Sequence, residues 1–103
     1  MKSKSDETYY VALIDEDINN KDDLMEDIKV KLNFPDYFGG NWDALYDCLC
    51  DLSWINEIIV IIKHTNIPKL PSHDLQIYID LLQDAVSSWK EDESHQLIIE
   101  FPE

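Results

Sequence analysis

Residues 35–52 read Pro-Asp-Tyr-Phe-Gly-Gly-Asn-Trp-Asp-Ala-Leu-Tyr-Asp-Cys-Leu-Cys-Asp-Leu, a short aromatic loop followed by an amphipathic pattern. Gly39 and Gly40 permit the positive φ angles of a tight turn, and Asn41 is a residue type that caps helix N-termini. Beyond this cap, apolar residues recur at spacings of three, four and three, the periodicity of one buried helix face. That face consists of Trp42, Leu45, Leu49 and Leu52. The stretch therefore predicts a loop and a helix that packs one side into a core.

Three acids lie off this apolar face at intervals of four residues, namely Asp43, Asp47 and Asp51. Residues so spaced share one helix face, and like charges there repel by about 0.2–0.5 kcal/mol per pair. A solvated surface accounts for Asp43, near the positive end of the helix dipole, but less well for Asp47 and Asp51. Two interpretations therefore remain open: a solvated face, and a surface that binds a cationic partner.

The composition narrows the partners that such a surface could have. The chain has 103 residues, of which 45% are hydrophobic, and 22 acids against 8 bases give a net charge of −14. Nucleic acids and anionic membranes should repel this protein, whereas a basic partner should be attracted to it.

The N-terminus lacks an apolar signal region, and the longest aliphatic run, 58–62, is too short to span a bilayer. We therefore expect a soluble cytoplasmic protein.

The pattern of the whole chain predicts the element order β-α-α-β-α-β. The predicted strands are 8–14, 57–63 and 96–101. The predicted helices are 21–32, one that starts at 42, and a long helix that Ser72 caps and that runs through Trp89, followed by a charged turn at 90–94. The nearly continuous Ile and Val residues of the middle strand are typical of a strand covered on both faces. Such alternation predicts an α/β fold, a small three-stranded parallel sheet with helices packed on it through right-handed crossovers. We expect one domain over residues 1–103, with 1–7 flexible.

Enzymatic activity is not expected from these residues. The chain has neither a nucleophile elbow nor a phosphate-binding glycine loop. Asp43 and Asp47 could in principle act as a general acid and base, but both lie on the predicted solvent-facing surface, with no evident pocket to separate their pKa values. We therefore predict no catalytic residues and no cofactor.

The potential metal ligands do not form a site in the sequence. Cys48 and Cys50 would point about 200° apart on one helix, so they can neither pair with each other nor share a metal ion. We expect two reduced thiols, at least one of them packed. The three histidines, His64, His73 and His95, show no ligand spacing. We therefore predict no metal site.

The aromatic residues of the loop favour the binding interpretation of the acidic row. Tyr37 and Phe38 adjoin the two glycines, and aromatic rings beside charges on a loop are typical of a binding hot spot. The alternative is that such rings cover the edge of the sheet, which we favour for Phe34 and Phe38. Tyr37 should be exposed, since its hydroxyl needs a polar partner or water.

The stretch 35–49 resembles the signature of the barstar family of ribonuclease inhibitors. That signature is an aromatic pair, Gly, any residue, Asn, an apolar residue, Asp-Ala-Leu, an aromatic residue and Asp, and this chain matches it at the same spacings. The resemblance implies a barstar-like fold with a three-stranded parallel sheet. It also implies a function, the tight and reversible blocking of a ribonuclease inside the cell that produces it.

The same resemblance implies which residues contact the nuclease. Asp47 would take the place of a substrate phosphate among cationic side chains of the enzyme, and an acid on the long helix would assist it. The implied partner-binding residues are Tyr37, Gly39, Gly40, Asn41, Asp43, Tyr46, Asp47, Asp51 and Asp84. Gly40, Trp42, Tyr46, Asp51 and Asp84 depart from the usual pattern of the family. These departures suggest a partner that is related in chemistry, though not in fold, to the best-known target of the family.

Three functional hypotheses follow. The first is a bacterial immunity protein that occludes the basic active-site cleft of a cognate ribonuclease toxin in a 1:1 complex, by mimicry of RNA phosphates. The second is an acidic nucleic-acid mimic that binds a DNA-binding protein. The third is a structural module whose acidity serves only solubility.

Overall fold

The computed structural model describes residues 9–92 and 95–102. Its elements are β1 (Tyr9–Ile14), α1 (Lys21–Lys31), α2 (Trp42–Asp51), β2 (Ile59–His64), α3 (Ser72–Asp92) and β3 (Gln96–Glu100). The predicted order β-α-α-β-α-β is confirmed. The proposed flexible segment 1–7 lies outside the described residues. Within the described part of the chain, no helix is both long and apolar enough to cross a membrane.

The three strands form a parallel sheet in the order β1-β2-β3, as predicted. In the middle of the sheet, Val11 of β1 lies beside Ile61 of β2, which lies beside Ile98 of β3. The helices pack through contacts of α1 with β1, α3 with β3 and α2 with α3. Between the helices and the sheet lies one hydrophobic core, to which all six elements contribute.

The prediction that the middle strand is covered on both faces is wrong. In β2, Val60 and Ile62 are buried under the helices, while Ile61 is half-buried and Lys63 is exposed. Both connections step in the same direction across the sheet, and right-handed crossovers of this kind place all their helices on one face. Among the described residues, the other face therefore carries no helix, and the Ile-rich run is divided between a buried and an open side.

The end of α3 also differs from the sequence-based expectation. The sequence predicts a turn over residues 90–94, whereas the helix continues to Asp92; residues 93–94 of this predicted turn lie outside the described residues. Trp89 is buried, and its indole N–H donates to the carbonyl of Leu49 at 2.7 Å, which anchors this part of α3 to α2. Lys90 and Glu91 are good helix formers, so the helix extends beyond its last buried residue.

A buried histidine joins the three elements around the end of the sheet. The Nδ1 atom of His64 lies 2.8 Å from the carbonyl oxygen of Glu100, and its Nε2 atom lies 2.7 Å from the hydroxyl of Tyr78. A carbonyl only accepts, so Nδ1 carries the proton and Nε2 accepts from the tyrosine. The ring stacks on Phe101, with centroids 4.2 Å apart. Burial lowers the pKa of His64 and raises the pKa of Tyr78, so both side chains are neutral at pH 7.

We predict that His64 makes the stability of the fold depend on pH. Its folded-state pKa lies below its ordinary value of 6.5, so its contribution is complete above that value and is lost as the pH falls below it. The substitution His64→Gln should flatten the dependence of the unfolding free energy on pH between about 7.5 and about 5.5, measured by urea denaturation. The matched control is His73→Gln, since His73 is exposed on α3. Equal slopes in the wild type and His64→Gln would contradict the prediction.

Candidate partner-binding surface

The acidic row lies on the solvent side of α2, as predicted. Asp43, Asp47 and Asp51 are all exposed, whereas Leu45, Cys48 and Leu49 on the other side of the helix are buried. The row extends over about 12 Å, since each helical residue rises 1.5 Å. The ion pairs of the described residues join Lys31 to Asp15 and Asp27, so none of them neutralises this row. The row therefore presents uncompensated negative charge from a rigid element.

The loop before α2 is shaped by a helix cap and one glycine. The side-chain oxygen of Asn41 accepts from the backbone N–H of Ala44 at 2.8 Å, which confirms Asn41 as the N-cap. Gly40 has a φ of +72°, and no atom lies within 4 Å of the Cβ that another residue would carry there. The backbone conformation therefore favours glycine at this position, although the space would admit a side chain. Gly39 lies beside the Asn41 amide, which would be 3.5 Å from an added Cβ.

The tyrosine of the loop meets the last acid of the row. Tyr37 is 71% exposed, as predicted, and its hydroxyl lies 3.4 Å from a carboxylate oxygen of Asp51. Partial desolvation, and then the negative charge of Asp51, raise the pKa of Tyr37. The structure thus brings together two residues that are 14 positions apart in the chain, and it aligns the loop with the C-terminal end of α2.

Aromatic rings behind the loop support this arrangement. Phe34 packs against Phe38 with ring centroids 4.8 Å apart and against Trp54 at 5.8 Å, both in edge-to-face geometry. The indole N–H of Trp54 donates to the carbonyl of Leu32 at 2.9 Å, where α1 ends. Phe34 is buried and Phe38 half-buried, and their aromatic partners are each other and Trp54; that they cover the edge of the sheet stays a prediction. Trp54 was missed, because its contacts with residues about twenty positions earlier leave no local pattern.

A groove between α2 and α3 extends the acidic surface beyond α2. Its floor is apolar and its rim carries carboxylates; the lining residues are Trp42, Asp43, Tyr46, Ile77, Asp80, Leu81 and Asp84. Asp84 of α3 therefore shares this groove with Asp43 and Tyr46 of α2. Asp80, which no sequence motif marks, lines the same groove and accepts a hydrogen bond from Gln76 at 2.9 Å. Only the packing of α2 on α3 identifies Asp80.

The titratable groups around this surface respond to its negative charge. A hydrogen bond with Cys50 raises the pKa of Tyr46, and the charges of Asp84 and Asp47 act in the same direction. Cys48 is buried, and that burial raises its pKa, so it is a packed thiol. Both cysteines are free, as predicted. The surface is therefore suited to bind a cationic group, and the raised pKa of Cys48 disfavours the reactive thiolate form of that residue.

Comparisons with known proteins point to one family. A family model described as "Barstar (barnase inhibitor)" matches residues 9–101, which include all six described elements. A protein of Bacillus subtilis (strain 168) named "Putative ribonuclease inhibitor YrdF" is 44% identical over 46 residues, which are 45% of this chain and 48% of that protein. The similarity thus spans about half the length of this curated relative.

We predict that Asn41→Ala destabilises the fold by about 1 kcal/mol, because the first turn of α2 loses the acceptor for the Ala44 N–H. Asn41→Asp keeps an acceptor at the positive end of the helix and should retain most of the stability. Urea denaturation followed by circular dichroism measures both changes.

The matched control for the cap is Asn20→Ala. Asn20 caps α1 through the same bond, from the backbone N–H of Asp23 at 2.8 Å, so its loss should cost a similar free energy. If Asn20→Ala were destabilising and Asn41→Ala were neutral, the capping role of Asn41 would be refuted.

Proposed function

The chain belongs to the Barstar (barnase inhibitor) family, and on this premise we propose that it is an intracellular immunity protein. It binds a cognate ribonuclease toxin in a 1:1 complex and occludes the active site of that enzyme. Residues 1–103 act as one inhibitory domain, in the cytoplasm of a bacterium. The protein performs no catalysis of its own and needs no cofactor.

The observation that carries this proposal is the exposed acidic row of α2. An enzyme that cleaves RNA binds phosphates, and the cationic donors that line such a cleft also bind carboxylates. Carboxylates held by a folded helix lose little conformational freedom on binding, so most of their interaction energy is retained. Such a row imitates RNA phosphates, yet it contains no bond that a nuclease can cleave.

Each residue of the surface has a role in this proposal. Asp47, in the middle of the row, occupies the phosphate position, and Asp43 flanks it within the cleft. Asp84 contributes from α3 across the groove, beside Tyr46, and binds cations at the margin. The exposed ring of Tyr37 is the apolar anchor of the contact, since such rings frequently dominate binding energy.

The loop residues act through the shape of the backbone. Gly39 and Gly40 carry no side chains, which lets the nuclease approach the loop closely. Asn41 uses its side-chain oxygen in the helix cap, which leaves the amide N–H groups to donate to the partner. Asp51 holds Tyr37 at the end of the row. The net charge of −14 steers the basic nuclease towards this surface, so association slows as salt rises.

We predict that Asp47→Ala weakens binding to the ribonuclease encoded beside this chain by more than about 2 kcal/mol, about a 30-fold rise in Kd. The cost is large because truncation leaves cations of the enzyme desolvated without a partner. Calorimetric titration and inhibition of RNA cleavage measure the effect. The control is Asp22→Ala, which removes an exposed acid of α1 and should leave Kd unchanged.

Two outcomes would argue against the proposal in different ways. An unchanged Kd for Asp47→Ala would remove this residue from the mechanism. Binding to a DNA-binding protein without any inhibition of RNA cleavage would instead support a nucleic-acid mimic.

We predict a smaller effect for Asp51→Ala than for Asp47→Ala. Asp51 lies at the negative end of the α2 dipole, so its removal should slightly stabilise the free protein, by up to about 1 kcal/mol. Loss of its charge should also lower the pKa of Tyr37, which is measured by ultraviolet titration of the phenol. An Asp51→Ala variant that binds as poorly as Asp47→Ala would instead place Asp51 at the centre of the contact.

A further inference from the structure

The sheet face opposite the helices, here termed the outer sheet face, is largely apolar. Its apolar residues are Tyr9, Val11 and Leu13 of β1, Ile59 and Ile61 of β2, and Ile98 of β3. The strand register places them in adjacent rows, with Val11, Ile61 and Ile98 forming the middle row. Tyr9, Val11 and Leu13 are 58%, 55% and 48% exposed. Parallel sheets are ordinarily covered on both faces, so an apolar sheet face left open in this way is unusual.

The charge of this face distinguishes it from the acidic surface. Lys63 and Glu100 are neighbours in the register, so the face is close to neutral in a chain of net charge −14. A basic partner would gain little electrostatic attraction from this face compared with the acidic row of α2. Residues 1–8, which precede β1, read Met-Lys-Ser-Lys-Ser-Asp-Glu-Thr and hold a single apolar residue, so their chemistry does not match the face.

We infer that the outer sheet face binds a second copy of this chain. A second copy offers the same apolar, nearly neutral surface, and contact here turns the acidic helices of both copies away from each other. The electrostatic repulsion between two acidic proteins is therefore smallest in this arrangement. The inference goes beyond the proposed function, since it uses none of the residues assigned to the nuclease.

The two copies can be related by a two-fold axis that lies between their outer sheet faces and runs perpendicular to the strands. Such a contact is self-complementary, because each copy uses the same surface. The middle row then meets its own copy, so Val11 and Ile61 each pack against the equivalent residue. Glu100 of one copy faces Gln96 of the other, and the two Lys63 side chains lie at opposite ends. Two sheets packed in this way lie about 10 Å apart with their side chains between them.

The size of the face predicts a weak dimer. Partly exposed side chains on three short strands provide a few hundred Å² per copy, which is less than the roughly 800 Å² per partner of a stable interface. We therefore expect a concentration-dependent dimer with a Kd between about 10 µM and about 1 mM. Because net charge opposes this apolar contact, salt should tighten it, whereas salt should weaken the binding of the nuclease.

Sedimentation equilibrium of the full chain from about 10 µM to about 1 mM tests the inference. The mass should rise from 12.1 kDa towards that of a dimer, and more steeply at high salt. Val11→Lys should raise Kd at least about tenfold, and Leu13→Lys, a second exposed position, should do the same. The matched control is Val30→Lys, because Val30 is 62% exposed on α1 and should leave Kd unchanged. Circular dichroism verifies that each variant is folded.

Three outcomes would overturn the inference. The first is a full chain that stays monomeric at about 1 mM, as it would if residues 1–8 covered the face. The second is dimerisation by both folded lysine variants with the wild-type Kd. The third is loss of nuclease inhibition in Val11→Lys, which would assign the face to the nuclease. Failure of this inference is distinguishable from failure of the proposed function. Asp47→Ala should weaken nuclease binding and still dimerise like the wild type, whereas Val11→Lys should weaken dimerisation only.

Discussion

The packing of α2 on the core is the constraint on which the rest of the structure depends. Leu45, Leu49 and Leu52 have no exposed surface, so the helix has one rotation about its axis at which they all remain buried. With 3.6 residues per turn, that rotation directs the acidic row into solvent. The orientation of the charges therefore follows from hydrophobic burial on the other side of the helix and needs no contact of its own.

The residues at the two ends of α2 define where the acidic surface begins and ends. Asn41 caps the first turn, and Leu52 ends the helix in a left-handed conformation with φ 47° while its side chain stays buried. An apolar residue in this region is unusual, and burial of its side chain offsets the conformational cost. The turn that follows brings Trp54 to the loop, which links both ends of α2 through one aromatic cluster.

The sheet has two faces with different chemistry because the three helices of the described residues lie on one side. The covered face holds the core and the His64–Tyr78 pair. Both ring nitrogens of His64 have hydrogen-bond partners, the carbonyl of Glu100 and the hydroxyl of Tyr78. The open face retains aliphatic residues that a helix would cover in a larger α/β sheet. The acidic helices and the apolar sheet face thus point in opposite directions, which separates a charge-driven surface from a hydrophobic one.

The order of elements, the parallel sheet, the cap at Asn41 and the exposure of the acidic row all follow from the sequence, because periodicity and capping are local properties. The family signature at 35–49 likewise lies in one continuous segment. The covered and open sheet faces did not follow, since an Ile-rich strand looks the same whether one or both of its sides are buried. The Tyr37–Asp51 contact, the place of Asp80 in the groove and the support from Trp54 were decided only by tertiary structure. Each depends on distances between residues that are far apart in the chain, and no local pattern specifies these distances.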